Sequence, residues 1–203
     1  MSLGSGRQPP PQLGLFRDSE LAGPVTLEPV DAEQLSYLDA LPSALGYHLL
    51  RARDIARPRV FIPGAGTGEM VRQASQFDAA RIEVAEHDPA LRQLLTRDLA
   101  AFTGNPFEGV IIHPMAARAF TAGNHGGFDL VQVSSGDGGS AGLKSLGPSR
   151  ELTREAFAEY LALLSPRGLL AVTHPLQAPP RTLPRLMLTA IESLEALGLP
   201  PAR

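Results

Sequence analysis

The sequence predicts an α/β protein with one doubly wound, mostly parallel sheet and helices on both of its faces. Three observations predict it. From residue 59 onward, short apolar segments alternate with segments of helical period. The first of them, residues 59–62, runs straight into Gly64-Ala65-Gly66-Thr67-Gly68, and a helical pattern starts at once. The next apolar segment, residues 81–86, ends on an acid, Glu86.

Each element has a local reason. Residues 1–25 are rich in Gly, Pro and Gln, include Pro9-Pro10-Pro11, and show no period, so they read as a disordered arm. Residues 26–203 are expected to form a single α/β domain within a longer chain. Residues 32–50 look helical, broken around Pro42. After the glycines, Met70, Val71, Ala74 and Phe77 share one helical face. Asp88-Pro89 reads as an N-cap followed by Pro at the first helical position, and Leu91, Leu94, Leu95, Leu99 and Phe102 form the stripe that this helix would bury. Residues 109–113 are a third short strand and residues 116–120 a short helix, before a turn at 124–127.

Residues 128–133 are apolar enough to lie inside a sheet. The run 136–142 is too glycine-rich for regular structure and sits where a lid would be. Thr153 caps a helix with Phe157, Tyr160, Leu161 and Leu164 on one face, and residues 165–168 turn into a fifth strand, 169–173. After Pro179-Pro180 a last amphipathic helix presents Leu183, Leu186, Met187, Ile191 and Leu194. Within these residues the sheet is expected to lack the closing antiparallel strands.

Ligand sites in such sheets lie at the C-terminal strand ends, beside the point where the strand order reverses. Gly64 to Gly68, Glu86, Met115 to Ala117 and Ser134 to Asp137 would converge there. Alternating glycines let a ligand approach the backbone, and an acid at the tip of the second strand accepts hydrogen bonds from ribose hydroxyls. A dinucleotide fingerprint would place its third glycine at position 69, where Glu69 stands. The Gly-x-Gly-x-Gly form is typical of sites for S-adenosylmethionine. Plainer roles compete at several positions. Thr67 and Glu69 suit a helix N-terminus through its unpaired N–H groups and dipole alone, Asp88 is explained as a cap, and His87 as a surface residue.

Composition sets limits. The net charge of −3 favours neither nucleic acid nor an anionic membrane as a partner. The absence of cysteine excludes disulfides, thiol nucleophiles and thiolate zinc sites. Five scattered histidines, without an i, i+4 pair, argue against a metal site. No run reaches the roughly 20 apolar residues of a membrane-spanning helix, and the N-terminus lacks the order of a signal peptide. The cytoplasm is therefore the default location.

Several segments in the right order resemble spermidine synthases and their relatives within the Rossmann-like, class I methyltransferase-type fold. Val60-Phe-Ile-Pro-Gly-Ala-Gly-Thr-Gly68 is similar to the nucleoside loop, and Val84-Ala-Glu-His-Asp-Pro89 to the ribose segment. Phe128-Asp-Leu-Val-Gln-Val-Ser-Ser-Gly-Asp137 resembles the strand and loop that carry the family's acids. Leu152-Thr-Arg-Glu-Ala-Phe-Ala-Glu-Tyr-Leu161 and Leu164-Ser-Pro-Arg-Gly-Leu-Leu170 match the helix and turn that follow.

The resemblance implies a transferase of polyamine type that binds S-adenosylmethionine or its decarboxylated form. The cofactor would lie on Gly64, Ala65, Gly66, Thr67, Gly68, Glu86, His87, Ala116, Ala117 and Ser134, with Asp137 as the catalytic acid–base. The acceptor would be a small molecule, an amine among the candidates, and a homodimer is the assembly considered. Departures fall at the chemistry. Ser134 stands where the family has the first of two acids, Met115-Ala116-Ala117 replace the acid that meets the adenine amino group, and Leu49 follows Tyr47-His48 where an acid is usual. A serine hydroxyl neither balances an ammonium nor acts unaided as a base near neutral pH. A small-molecule methyltransferase and a catalytically inactive nucleoside-binding or scaffold module are the alternatives.

Overall fold

The computed structural model describes residues 9–17, 20–29, 33–123, 126–134, 152–174, 179–180 and 182–199. The segment expected as a disordered arm holds an antiparallel hairpin, β1 (Gln12–Arg17) paired with β2 (Glu20–Thr26) from Gln12↔Thr26 to Arg17↔Glu20, with a register shift after Leu15. Gly14 faces Phe16 and Leu21, and Pro24 pairs with Gly14, so glycine and proline mask a strand pattern without preventing it. What stabilises the hairpin is tertiary: Val25 and Thr26 are buried, and the next residues hydrogen-bond through Leu27 N to Pro11 O (2.9 Å) and Glu28 N to Phe102 O (2.8 Å).

A connecting segment of 3-10 turns, Glu33–Ala40 and Pro42–Ala44, precedes α1 (Leu45–Arg51). The helix expected over 32–50 is therefore α-helical only in its last part. Strands β3 (Arg59–Pro63), β4 (Arg81–Ala85), β5 (Ile111–His113), β6 (Phe128–Ser134) and β7 (Leu164–Thr173) form one parallel sheet in the order β5-β4-β3-β6-β7. The chain builds outward from β3 to β5, then returns to lay β6 on the other side of β3. The order thus reverses between β3 and β6, the position at which open α/β sheets in general bind ligands.

The helices lie where the apolar patterns place them. α2 (Glu69–Gln76) follows the glycines, α5 (Ala117–Ala122) follows β5, α6 (Arg154–Ala162) precedes β7, and α7 (Thr182–Ala196) packs on α6. Asp88 caps α3 (Pro89–Gln93) by accepting from Ala90 N (2.9 Å) and Leu91 N (3.3 Å). Thr153 caps α6 through Ala156 N (3.2 Å). The helix expected after Asp88 is not continuous: a π-helical turn at Leu94–Asp98 separates α3 from α4 (Ala100–Thr103), and of its predicted stripe Leu95 is fully buried. In α7, Leu186 is buried but Leu183 and Met187 face solvent.

Side chains of β3 alternate across the sheet. Val60 and Ile62 join Tyr47, Leu50, Val71, Val84 and Leu130 in one core, while Phe61 joins Phe120, Phe128, Val131, Tyr160 and Leu163 in the other. Phe61 and Phe120 stack with centroids 4.5 Å apart. The predicted turn at 165–168 is another correction. These residues lie within β7, where the ladder to β6 jumps from Phe128↔Leu164 to Leu130↔Leu169. Gly168 permits this bulge, since a Cβ there would stand 2.7 Å from Phe128 O. Ser165 Oγ then donates to Asp129 Oδ1 (2.8 Å), and Arg59 N to Asp129 Oδ2 (2.9 Å), tying three strand starts together. Among the described residues no helix is long and apolar enough to cross a membrane.

Candidate functional site

The glycine loop leaves β3 with its backbone in left-handed conformations at Gly64 (φ 103°), Gly66 (φ 53°) and Gly68 (φ 84°). Their surroundings differ. A Cβ at Gly64 or Gly66 would meet nothing within 4 Å, so backbone is open to a ligand at both. A Cβ at Gly68 would stand 3.0 Å from the Phe107 ring, so this glycine serves the packing of α2 and its left-handed N-cap. Thr67 turns its methyl toward the hairpin, where a Cβ at Gly23 would lie 3.1 Å away.

Glu86, just past β4, is 5% exposed and locks the loop. Its Oε2 accepts from Ala65 N at 3.0 Å and its Oε1 from Asp88 N at 2.8 Å. Glu86 N donates to His113 O (3.0 Å), and Arg92 Nη1 to Glu86 O (2.8 Å), so both sides of the residue are fixed. A carboxylate offers about four acceptor positions, so two remain for hydroxyl donors. His87 stands outside, with Nδ1 3.5 Å from Glu86 Oε1 and a largely exposed side chain.

The other expected residues arrive by topology. β4 pairs with β5 through Ala85↔His113, which brings the exposed Met115 and Ala116 and the buried Ala117 beside Glu86. β3 pairs with β6 through Phe61↔Val131, and continuing that register sets Gly64 next to the exposed Ser134. Ser134 therefore lies on the β6 side of the loop and Glu86 on the β4 side. Asp137, expected as the catalytic acid–base, lies outside the described residues, as does the glycine-rich run after it.

Two sets of polar residues behind the loop escaped the sequence reading. Tyr47 OH donates to Gln132 Oε1 (2.7 Å), Gln132 Nε2 to Gln73 Oε1 (2.7 Å) and Gln73 Nε2 to Leu38 O (2.7 Å). All three side chains are at most 1% exposed, so this chain of bonds joins α1, β6, α2 and the 3-10 segment through the core. Tyr47 also stacks on Phe77 at 4.6 Å, and burial raises its phenol pKa strongly. It is a core residue. The available signal was a glutamine at a central position of an apolar strand.

The second set surrounds the start of α2. Tyr37 donates to the Glu69 carboxylate and its oxygen lies 3.5 Å from Thr26 Oγ1. Arg72 Nη2 donates to Thr103 O (2.5 Å) and Thr26 O (3.4 Å). Burial pushes the Glu69 pKa up, and Tyr37 and Arg72 only partly oppose it. A carboxyl whose folded pKa is raised favours folding most when protonated. That contribution is full below its unfolded pKa and is lost as pH rises through the folded value. Glu69→Gln keeps an acceptor for Tyr37 without the charge. It is expected to raise Tm by roughly 2 °C at pH 8 and to leave it unchanged at pH 4, read by calorimetry.

No protein-family model matches this sequence, and no curated protein matches it. Solved structures do. The spermidine synthase from Thermotoga maritima superposes with a TM-score of 0.54 at 15% identity, over 79% of this chain and 50% of that one. The ribosomal protein L11 methylase from Lactobacillus delbrueckii subsp. bulgaricus superposes with a TM-score of 0.51 at 16% identity, over 89% of this chain and 78% of that one. The chain has the Rossmann-like α/β fold of these methyltransferases and spermidine synthases. It spans about half the length of the spermidine synthase. At such identities the likeness defines the fold and leaves the reaction open.

Proposed function

We propose that the chain is a transferase that binds S-adenosylmethionine or its decarboxylated form and passes an alkyl group, aminopropyl or methyl, to a small acceptor. One observation carries this reading: the open backbone at Gly64 and Gly66 lies beside the buried Glu86 carboxylate, at the reversal of strand order. Glu86 would accept from the ribose hydroxyls, the glycine backbone would face the sugar and tail, Met115 to Ala117 would border the base, and Ser134 would face the reacting end. His87 would sit over the ribose at the mouth. A sulfonium donor supplies its own leaving group, so the chain's part is binding and alignment. Asp137 is the residue of the family pattern left to take the acceptor's proton.

A catalytically silent nucleoside-binding module is the second reading, favoured by the serine at 134 in place of an acid. A thermal-shift panel of S-adenosylmethionine, its decarboxylated form, methylthioadenosine and NAD decides between them. Adenosyl ligands at 100 times Kd are expected to add about 2.7 kcal/mol of stability. A response to NAD alone rejects the cofactor. Binding of adenosyl ligands without product from putrescine, spermidine or a broad acceptor set selects the module.

A further inference from the structure

We propose that the β1–β2 hairpin is a strap that holds the glycine loop in its ligand-ready form, so that docking of the hairpin regulates the site. An isolated two-stranded hairpin is marginally stable in water, and among the described residues β1 and β2 pair with no third strand. Its docking therefore depends on the contacts it makes, and these converge on the loop. The Gly23 backbone lies against the Thr67 methyl, Thr26 O accepts from Arg72 of α2, and Thr26 Oγ1 lies 3.5 Å from Tyr37 OH, which holds Glu69. Gln12 Nε2 closes the group on Thr26 Oγ1 at 3.1 Å.

Thr67 and Glu69 are the two neighbours of Gly68. Both are thus held from the hairpin side while Gly64 and Gly66 stay open on the other side. A loop with three left-handed glycines has many unfolded alternatives and gains most from such external support. Any ligand that needs the formed loop favours the docked hairpin, and docking in turn favours the ligand. That last step rests on the nucleoside reading of the loop; the coupling of hairpin to loop does not.

Hydrogen exchange on the full chain tests it, with Gly23→Val and Arg72→Met as independent releases. Gly23→Val forces a side chain onto Thr67 at a backbone φ of 148°; Arg72→Met removes the donor to Thr26 O together with its bond to Thr103 O. Amides of residues 13–16, 21–23, 25–26 and 64–70 are expected to exchange roughly tenfold faster or more in both variants, with 130–133 at wild-type rates. Loop amides that keep their protection while the hairpin opens overturn the proposal. So does a hairpin that stays protected in both variants, or acceleration of the 130–133 amides to the same degree. S-adenosylhomocysteine titrations are then expected to show weaker binding in both variants. If it binds neither wild type nor variant, the nucleoside reading fails, and the exchange rates still decide the coupling.

Discussion

Glu86→Ala is expected to abolish the adenosyl-ligand response and to lower stability at the same time. The carboxylate accepts from Ala65 N and Asp88 N from a position 5% exposed. Removing it leaves two N–H groups without their acceptor, each worth about 1–3 kcal/mol if water does not replace it. On the proposed reading it also deletes the acceptor for the ribose hydroxyls. Charge-assisted bonds contribute about 1.5–3 kcal/mol each, so affinity for S-adenosylhomocysteine should fall at least about 100-fold. Glu86→Gln separates the two effects. Its amide oxygen can still serve Ala65 N, so Tm should recover much of the loss while affinity stays well below wild type. Calorimetric titration beside thermal melts reads both. Wild-type affinity in Glu86→Ala would place the ribose elsewhere.

The largest stability effect is expected deeper in the fold, at Gln132. Replacing it by leucine strands the Tyr47 hydroxyl and Gln73 Oε1 in a region where the three side chains are at most 1% exposed. Two unsatisfied buried groups cost about 2–6 kcal/mol in all, a large part of the margin of an ordinary domain. The triple change Tyr47→Phe, Gln73→Met, Gln132→Leu removes the donors and acceptors together. It is expected to be less damaging than Gln132→Leu alone, because replacing all partners by apolar groups avoids stranded ones. The Leu38 carbonyl is the one group it leaves behind. Urea melts of single and triple variants measure the difference, and equal losses would show that stranding these groups carries no extra cost.

The parallel sheet was legible because its signals are local. Apolar runs at 59–62, 81–86 and 128–133 form β3, β4 and β6, and Asp88 and Thr153 cap the helices they precede. The gathering of the candidate residues was legible for a related reason: once strands and helices alternate, the positions after each strand must lie at one end of the sheet. The hairpin was not legible. Gly14, Gly23 and Pro24 erase its period, and its stability lies in residues such as Thr67, Arg72 and Phe102, far along the chain. The bulge at 165–168 was read as a turn because Ser-Pro-Arg-Gly is turn chemistry, whereas the neighbouring strand decides that it stays in the ladder.

By itself the sequence determined the α/β architecture, the order of its core elements and the pairing of a glycine loop with an acid one strand later. Those follow from periodicity and backbone preference, which act over a few residues. Tertiary structure decided the division of labour among the glycines, with Gly64 and Gly66 open and Gly68 packed on Phe107. It also decided that Glu86 holds the loop through Ala65, that Tyr47 belongs to the core, and that the N-terminal segment pairs as a hairpin beside Thr67. Each of these depends on which atoms meet across the fold, and a linear pattern carries no record of such meetings.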